Sequence, residues 1–112
     1  MNNSNDSEAK QAQVYLLHFE QPYWSKAQHY VGYTTIGASE RIEKHRTGKG
    51  SLLVNYAHNK MGIPFHVAMV TDFEDDGEYT AKQLARHFEL KLKREGHLSR
   101  HCPICEERRK SQ

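Results

Sequence analysis

Two runs of strong β formers, residues 13–19 (QVYLLHF) and residues 29–34 (HYVGYT), stand nine residues apart. That spacing constrains the fold more than any other feature of the chain. Parallel strands need a crossover of a dozen residues or more, whereas an antiparallel pair closes over a short loop. Pro22, Ser25 and Lys26 mark the interval as loop. The two runs are therefore expected as an antiparallel hairpin, with a longer connection than the tight two-residue kind.

Turn residues divide the chain beyond Thr34. Residues 39–46 read as a short helix with Ser39 as its N-cap, broken by Thr47-Gly48-Lys49-Gly50. Ser51 caps a second helix over 52–61, which Gly62 ends and Pro64 keeps from continuing. Residues 65–73 place Phe65, Val67, Met69, Thr71 and Phe73 at alternate positions, expected on one side of a third strand. An acidic turn with Gly77 leads into the longest helix, 78–95. Leu84, Phe88 and Leu92 form its apolar stripe, with Lys93 and Arg94 in the last turn and Gly96 just beyond. The order β-β-α-α-β-α predicts an α+β domain, a three-stranded antiparallel sheet flanked by helices. Residues 1–12 read as a flexible tail, 13–96 as the domain, and 97–112 as a short basic tail.

At 112 residues the chain has material for one modest core. No apolar run approaches the ~18 residues of a membrane span. Residues 1–13 lack the apolar stretch of a secretory signal, and two cysteines make no disulfide framework, so a cytosolic protein is expected. The net charge of +2 hides an uneven distribution: residues 41–60 carry +4, residues 72–81 carry −5 and residues 82–112 carry +5. Two basic blocks on one small domain suit a polyanion-binding face. Solvated helix faces explain them equally well.

Four groups of residues could carry chemistry. Tyr15 and Tyr30 lie on the two hairpin strands, where side chains of neighbouring strands meet. An aromatic pair on a sheet face is the simpler account. Arg41 and His45 share a helix face and would handle a phosphate, the guanidinium as a fork of donors and the imidazole as a proton carrier. A solvated face beside Lys44 is the alternative. Glu89 follows Ala81 and Ala85 at four-residue steps, and such small residues would let its carboxylate approach a neighbouring element as a ligand for a hard cation. Against that stands a surface pair with Lys93. Last, His97, Cys102 and Cys105 are a candidate zinc set at the C-terminal end. A proline-containing turn with two reduced thiols is the favoured reading there.

Taken together, Gln13-Val14-Tyr15, Tyr30-Val31-Gly32, Arg41-Ile42-Glu43-Lys44-His45 and Glu89-Leu90-Lys91-Leu92-Lys93 resemble, in order and local context, the GIY-YIG nuclease superfamily, over about residues 13–95. The resemblance implies hydrolysis of DNA phosphodiester bonds with Mg2+ or Mn2+, as in repair or recombination. It implies Tyr15 as general base or water-orienting group, Tyr30 as its support, Arg41 as stabiliser of phosphate charge, and Glu89 as the metal ligand. Gly32 fits a close backbone approach to phosphate, and His45, Lys44, Arg46 and Lys49 become further phosphate contacts. No separate DNA-reading domain accompanies these motifs, so specificity falls to the nuclease surface, a homodimer or a protein partner. Two other readings stay open: a non-catalytic nucleic-acid-binding module of the same fold, and a zinc-stabilised adaptor acting through its tail.

Overall fold

After Phe19 the chain turns back through a loop pinned by its own backbone: Phe19 N–H donates to the Gln28 carbonyl at 2.8 Å and Tyr23 N–H to that of Ala27 at 3.0 Å. The computed structural model describes residues 11–111. In it β1 (Gln11–Phe19) and β2 (His29–Thr34) form the expected antiparallel hairpin, with Tyr15 opposite Gly32, Leu17 opposite Tyr30 and His18 opposite His29. Residues 1–10 of the expected N-terminal tail lie outside the described residues, and Gln11 and Ala12 belong to β1. The third strand, β3 (Phe65–Glu74), pairs antiparallel with the other edge of β1, giving the sheet order β2-β1-β3. The described residues are thus α+β, with a three-stranded antiparallel sheet and four helices.

Helix α1 (Ala38–Arg46) begins one residue earlier than the sequence suggests, with Gly37 at the N-cap. Ser39 lies inside the first turn and does not cap it. Gly37 takes φ of 101°, open to glycine and strained for serine. Ser51 does cap α2 (Leu52–Val54): its Oγ accepts from Val54 N–H at 3.1 Å. From Asn55–Lys60 this helix widens into a π-helical turn, and Met61 N–H reaches back to the Tyr56 carbonyl.

The long helix α3 (Ala81–Glu95) starts three residues later than expected. The signal lies in Thr80 and Gln83, which form a reciprocal capping box. The acidic residues before it make the turn instead. Asp76 accepts from the backbone N–H groups of Glu78 and Tyr79, and Asp75 accepts from that of Ala81. The buried line of α3 is Ala81, Ala85, Glu89 and Leu92, while Leu84 and Phe88 flank it half-buried. Small residues at the centre of the stripe bring the helix axis close to the sheet. Residues 97–111 hold structure as well: a 3-10 turn (Leu98–His101) leads into α4 (Pro103–Lys110).

The sheet separates two apolar clusters. Tyr15, Leu17, Phe19 and Phe65 meet Ala38, Ile42, Val54, Ala57 and Ile63 on the face covered by α1 and α2. Val14, Leu16 and Val31 meet Ala81, Ala85, Leu92 and Cys102 on the face covered by α3 and the C-terminal segment. The expected single-sided alternation of β3 fails. The register with β1 slips between Leu16 and Leu17, so Val67 pairs with Leu17 and Met69 with Leu16. The bulge at Ala68 reverses the parity of the strand. Phe65 therefore joins one cluster and Met69 and Phe73 pack against the other.

Candidate active site and a cysteine-histidine cluster

Tyr15 sits at the centre of its strand with 1% of its surface exposed. Its partner across the hairpin is Gly32, and the missing side chain makes room for the phenol: a Cβ there would stand 2.5 Å from the Tyr15 hydroxyl and 3.1 Å from the Tyr30 ring. Tyr30, two residues before Gly32 on the same face, brings its ring centroid to 6.3 Å from that of Tyr15. From α1, His45 enters between them, its ring 5.6 Å from Tyr15 and 5.5 Å from Tyr30. The Tyr15 hydroxyl and His45 Nε2 are 2.7 Å apart.

The hydrogen-bond pattern assigns the direction of that contact. Ser51 N–H donates to His45 Nδ1 at 3.4 Å, so Nδ1 is the bare nitrogen and Nε2 carries the proton. His45 then donates to the phenolic oxygen and leaves the O–H of Tyr15 free to point elsewhere. Three residues absent from the sequence-based candidates hold His45 in place. Ser51 supplies the donor, Asn59 Nδ2 donates to the His45 carbonyl at 3.3 Å, and a Cβ on Gly50 would collide with the ring. No short motif announces them, since each acts by packing or through backbone.

Burial pushes the Tyr15 phenol up to about 12, and the neighbouring Tyr30 adds to it. Arg41 opposes both, through its donors and its charge, and the Glu89 carboxylate adds a smaller upward push. Burial, with Arg41 second, holds His45 down at about 4, so its imidazole is neutral at neutral pH. Tyr15, Tyr30, Arg41 and His45 are thus assembled in one place. Glu89 acts on the same phenol from α3.

Glu89 is more than the expected alternative of a surface pair. The residue is only 4% exposed, and its carboxylate is held by Arg86 Nη1 at 3.3 Å and Lys93 Nζ at 3.1 Å. Lys44, Arg46 and Lys49 lie along α1 and the turn after it, all three exposed. Arg46 stacks its guanidinium 4.3 Å from the centre of the Phe65 ring.

The proposed zinc set needs correction. His97 is exposed, in a left-handed conformation at the start of the 3-10 turn. It is absent from the one group of described residues that could hold a metal ion. Cys102 and Cys105 instead meet His18 of β1 and His29 of β2, with the four ligand atoms within 4.8 Å of one another. Both thiols are free. Two nitrogens and two sulfurs suit zinc and not Mg2+, which takes oxygen ligands.

No helix among the described residues is long and apolar enough to cross a membrane. Comparison with family models, with curated proteins and with solved structures returns no match.

Proposed function

We propose that the protein is a metal-dependent endonuclease of the GIY-YIG type, cutting DNA at Tyr15. The observation that carries this reading is the convergence on one buried phenol of Tyr30 and the side-chain-free Gly32 from β2 and of Arg41 and His45 from α1. Two tyrosines paired only for packing need neither a neutral histidine donating to the hydroxyl nor a guanidinium beside it.

Each role has a geometric basis. With His45 Nε2–H donating to its oxygen, Tyr15 can direct its own O–H at a water or a phosphate oxygen. If that proton leaves, the donors of His45 and Arg41 remain on the phenolate. In the free chain the phenol at about 12 keeps its proton near neutral pH, so orienting the attacking water is its first task. Arg41 supplies the fork of donors that a pentavalent phosphate needs as its charge develops. Lys44, Arg46 and Lys49 offer the duplex a basic approach.

A single carboxylate suits Mg2+ or Mn2+ when phosphate oxygens complete the shell, and Glu89 is the residue that would hold the ion. Such a cation would stabilise the leaving oxygen. In the free chain Glu89 is already satisfied by Arg86 and Lys93. That observation favours the second reading, a binding module of the same fold that makes no cut.

One experiment separates the two: nicking rate and DNA affinity, measured side by side on plasmid, flap and branched DNA, with Mg2+, with Mn2+ and with chelator. The endonuclease predicts metal-dependent cleavage, lowered by roughly 10²-fold or more in Tyr15→Phe and abolished in Glu89→Gln with DNA affinity retained or raised. Wild-type protein that binds but cuts nothing would establish the binding module. Cleavage at the wild-type rate by Glu89→Gln would remove Glu89 from the site.

A further inference from the structure

We propose that His18, His29, Cys102 and Cys105 form a closed, structural zinc site that fastens the C-terminal helix to the hairpin carrying Tyr15 and Tyr30. The distances support a single ion among four donors. His18 Nδ1 and His29 Nε2 are 3.3 Å apart. Cys102 Sγ is 3.5 Å and Cys105 Sγ 3.6 Å from His18 Nδ1, and Cys105 Sγ is 3.4 Å from His29 Nε2. Zinc binds nitrogen at ~2.0–2.1 Å and sulfur at ~2.3 Å. A tetrahedron of those radii separates two nitrogens by about 3.3–3.4 Å and a nitrogen from a sulfur by about 3.5–3.6 Å. The four distances fall on these edges to within about 0.2 Å. Hydrogen bonding between two of these side chains would not require the other two to join them.

The elements explain how four such groups come together. His18 and His29 face each other directly across β1 and β2, so one pair of strands delivers two imidazoles to one spot. The thiols come from one turn of backbone. Cys102 is the N-cap of α4, its Sγ accepts from Cys105 N–H at 3.5 Å, and Pro103 begins the helix between them. Cys102 is 1% exposed. Arg108 Nη1 lies 3.3 Å from His18 Nε2, and its Nη2 pairs with Glu20 at 3.3 Å. With Nδ1 on the metal, Nε2 carries a proton and no longer accepts from Arg108.

The ion also accounts for why α4 stays where it is. No residue of this eight-residue helix is buried; only Ile104 and Cys105 lie against the core, as partly buried contacts. Its ion pair to Glu20 is exposed and worth little. A helix that short is unstable alone. Four protein ligands leave no open position, so the site is structural, not catalytic. Binding takes two thiolates and releases their protons to solvent.

The proposal does not depend on nuclease activity, and its test reads metal and fold. The full chain, prepared under reducing conditions, is expected to contain close to one equivalent of zinc. After chelation it should take up one equivalent of Co2+, with the intense visible absorption of a tetrahedral ion and a thiolate-to-cobalt charge-transfer band. Cys105→Ser and His18→Ala should each lower zinc affinity by roughly 10²-fold or more, while His97→Ala should leave it unchanged. Zinc should raise the melting temperature of the wild type and slow proteolysis within residues 98–110. Should the His18 variant fail to fold, cobalt titration of chelated wild type still decides. No zinc in the reduced protein together with no cobalt uptake overturns the proposal. So does a six-coordinate cobalt spectrum, or affinity lost in His97→Ala and kept in His18→Ala.

Discussion

Replacing Gly32 by alanine tests the arrangement of the tyrosine site without presuming what it does. Gly32 has no left-handed φ, so alanine meets no backbone strain there, and the effect is steric. The new methyl would lie 2.5 Å from the Tyr15 hydroxyl oxygen and 2.7 Å from the carbon that bears it. An ordinary non-bonded contact is ~3.5 Å, so the phenol must retreat by about 1 Å. It has little room, with 1% of the residue exposed, Tyr30 and His45 on either side and Ile42 in the same cluster. Overpacking of this kind costs about 1–3 kcal/mol. Losing the 2.7 Å contact with His45 adds about 1 kcal/mol. Against this, alanine restricts the unfolded chain and returns about 0.5–1 kcal/mol. The balance is a loss of about 1–3.5 kcal/mol, which in a domain of this size lowers the melting temperature by roughly 4–14 °C. Thermal and urea denaturation followed by circular dichroism measure it. If the protein cuts DNA, the same displacement should lower turnover by roughly 10²-fold. A melting temperature within about 2 °C of wild type would refute the packing argument and the crowded site drawn from it.

Single groups carry further expectations. His45 is neutral in the fold down to about pH 4, while the unfolded chain gains a proton through about pH 6.5. Stability should therefore be complete above pH 6.5 and fall by about 2–3 kcal/mol as pH drops to 4. His45→Gln should remove that share of the pH dependence in urea titrations across this range, and an unchanged profile would show that His45 is not held neutral. Thr80→Ala deletes the side-chain half of the capping box at the start of α3 and should cost about 1 kcal/mol in denaturation experiments; a loss under about 0.3 kcal/mol would mean that Asp75 and Asp76 carry the helix start by themselves. Replacing Lys44, Arg46 and Lys49 together by alanine should reduce the slope of log affinity for DNA against log salt by up to about 3, and an unchanged slope would place the duplex on another face.

Local features of the sequence determined the elements. Residues 29–34 are a strand because a run of β formers lies between turn residues, and Ser51, Gly62 and Gly96 bound their helices by satisfying or ending backbone hydrogen bonds within a few residues. Tyr15, Tyr30, Arg41, His45 and Glu89 were readable as candidates, the first four because hairpin pairing and helix spacing are short-range. What each of them touches was not. That Glu89 is nearly buried depends on Ala81 and Ala85 forming the centre of the contact stripe, where larger apolar residues at Leu84 and Phe88 suggest a different face. That Phe65 and Met69 serve opposite clusters depends on a bulge which pairing with β1 imposes and no residue type marks. The cysteine-histidine cluster is the clearest case. Cys102 and Cys105 advertise themselves by their spacing, and the nearest histidines in sequence, His97 and His101, are the wrong ones. The right partner His18 is 84 residues from Cys102 and reads in sequence only as one polar residue in a strand. Strand register sets it opposite His29, and the packing of α4 brings the thiols to both. Such long-range coincidences leave no periodic trace, because the chain between them is free to vary as long as the sheet and the helix meet.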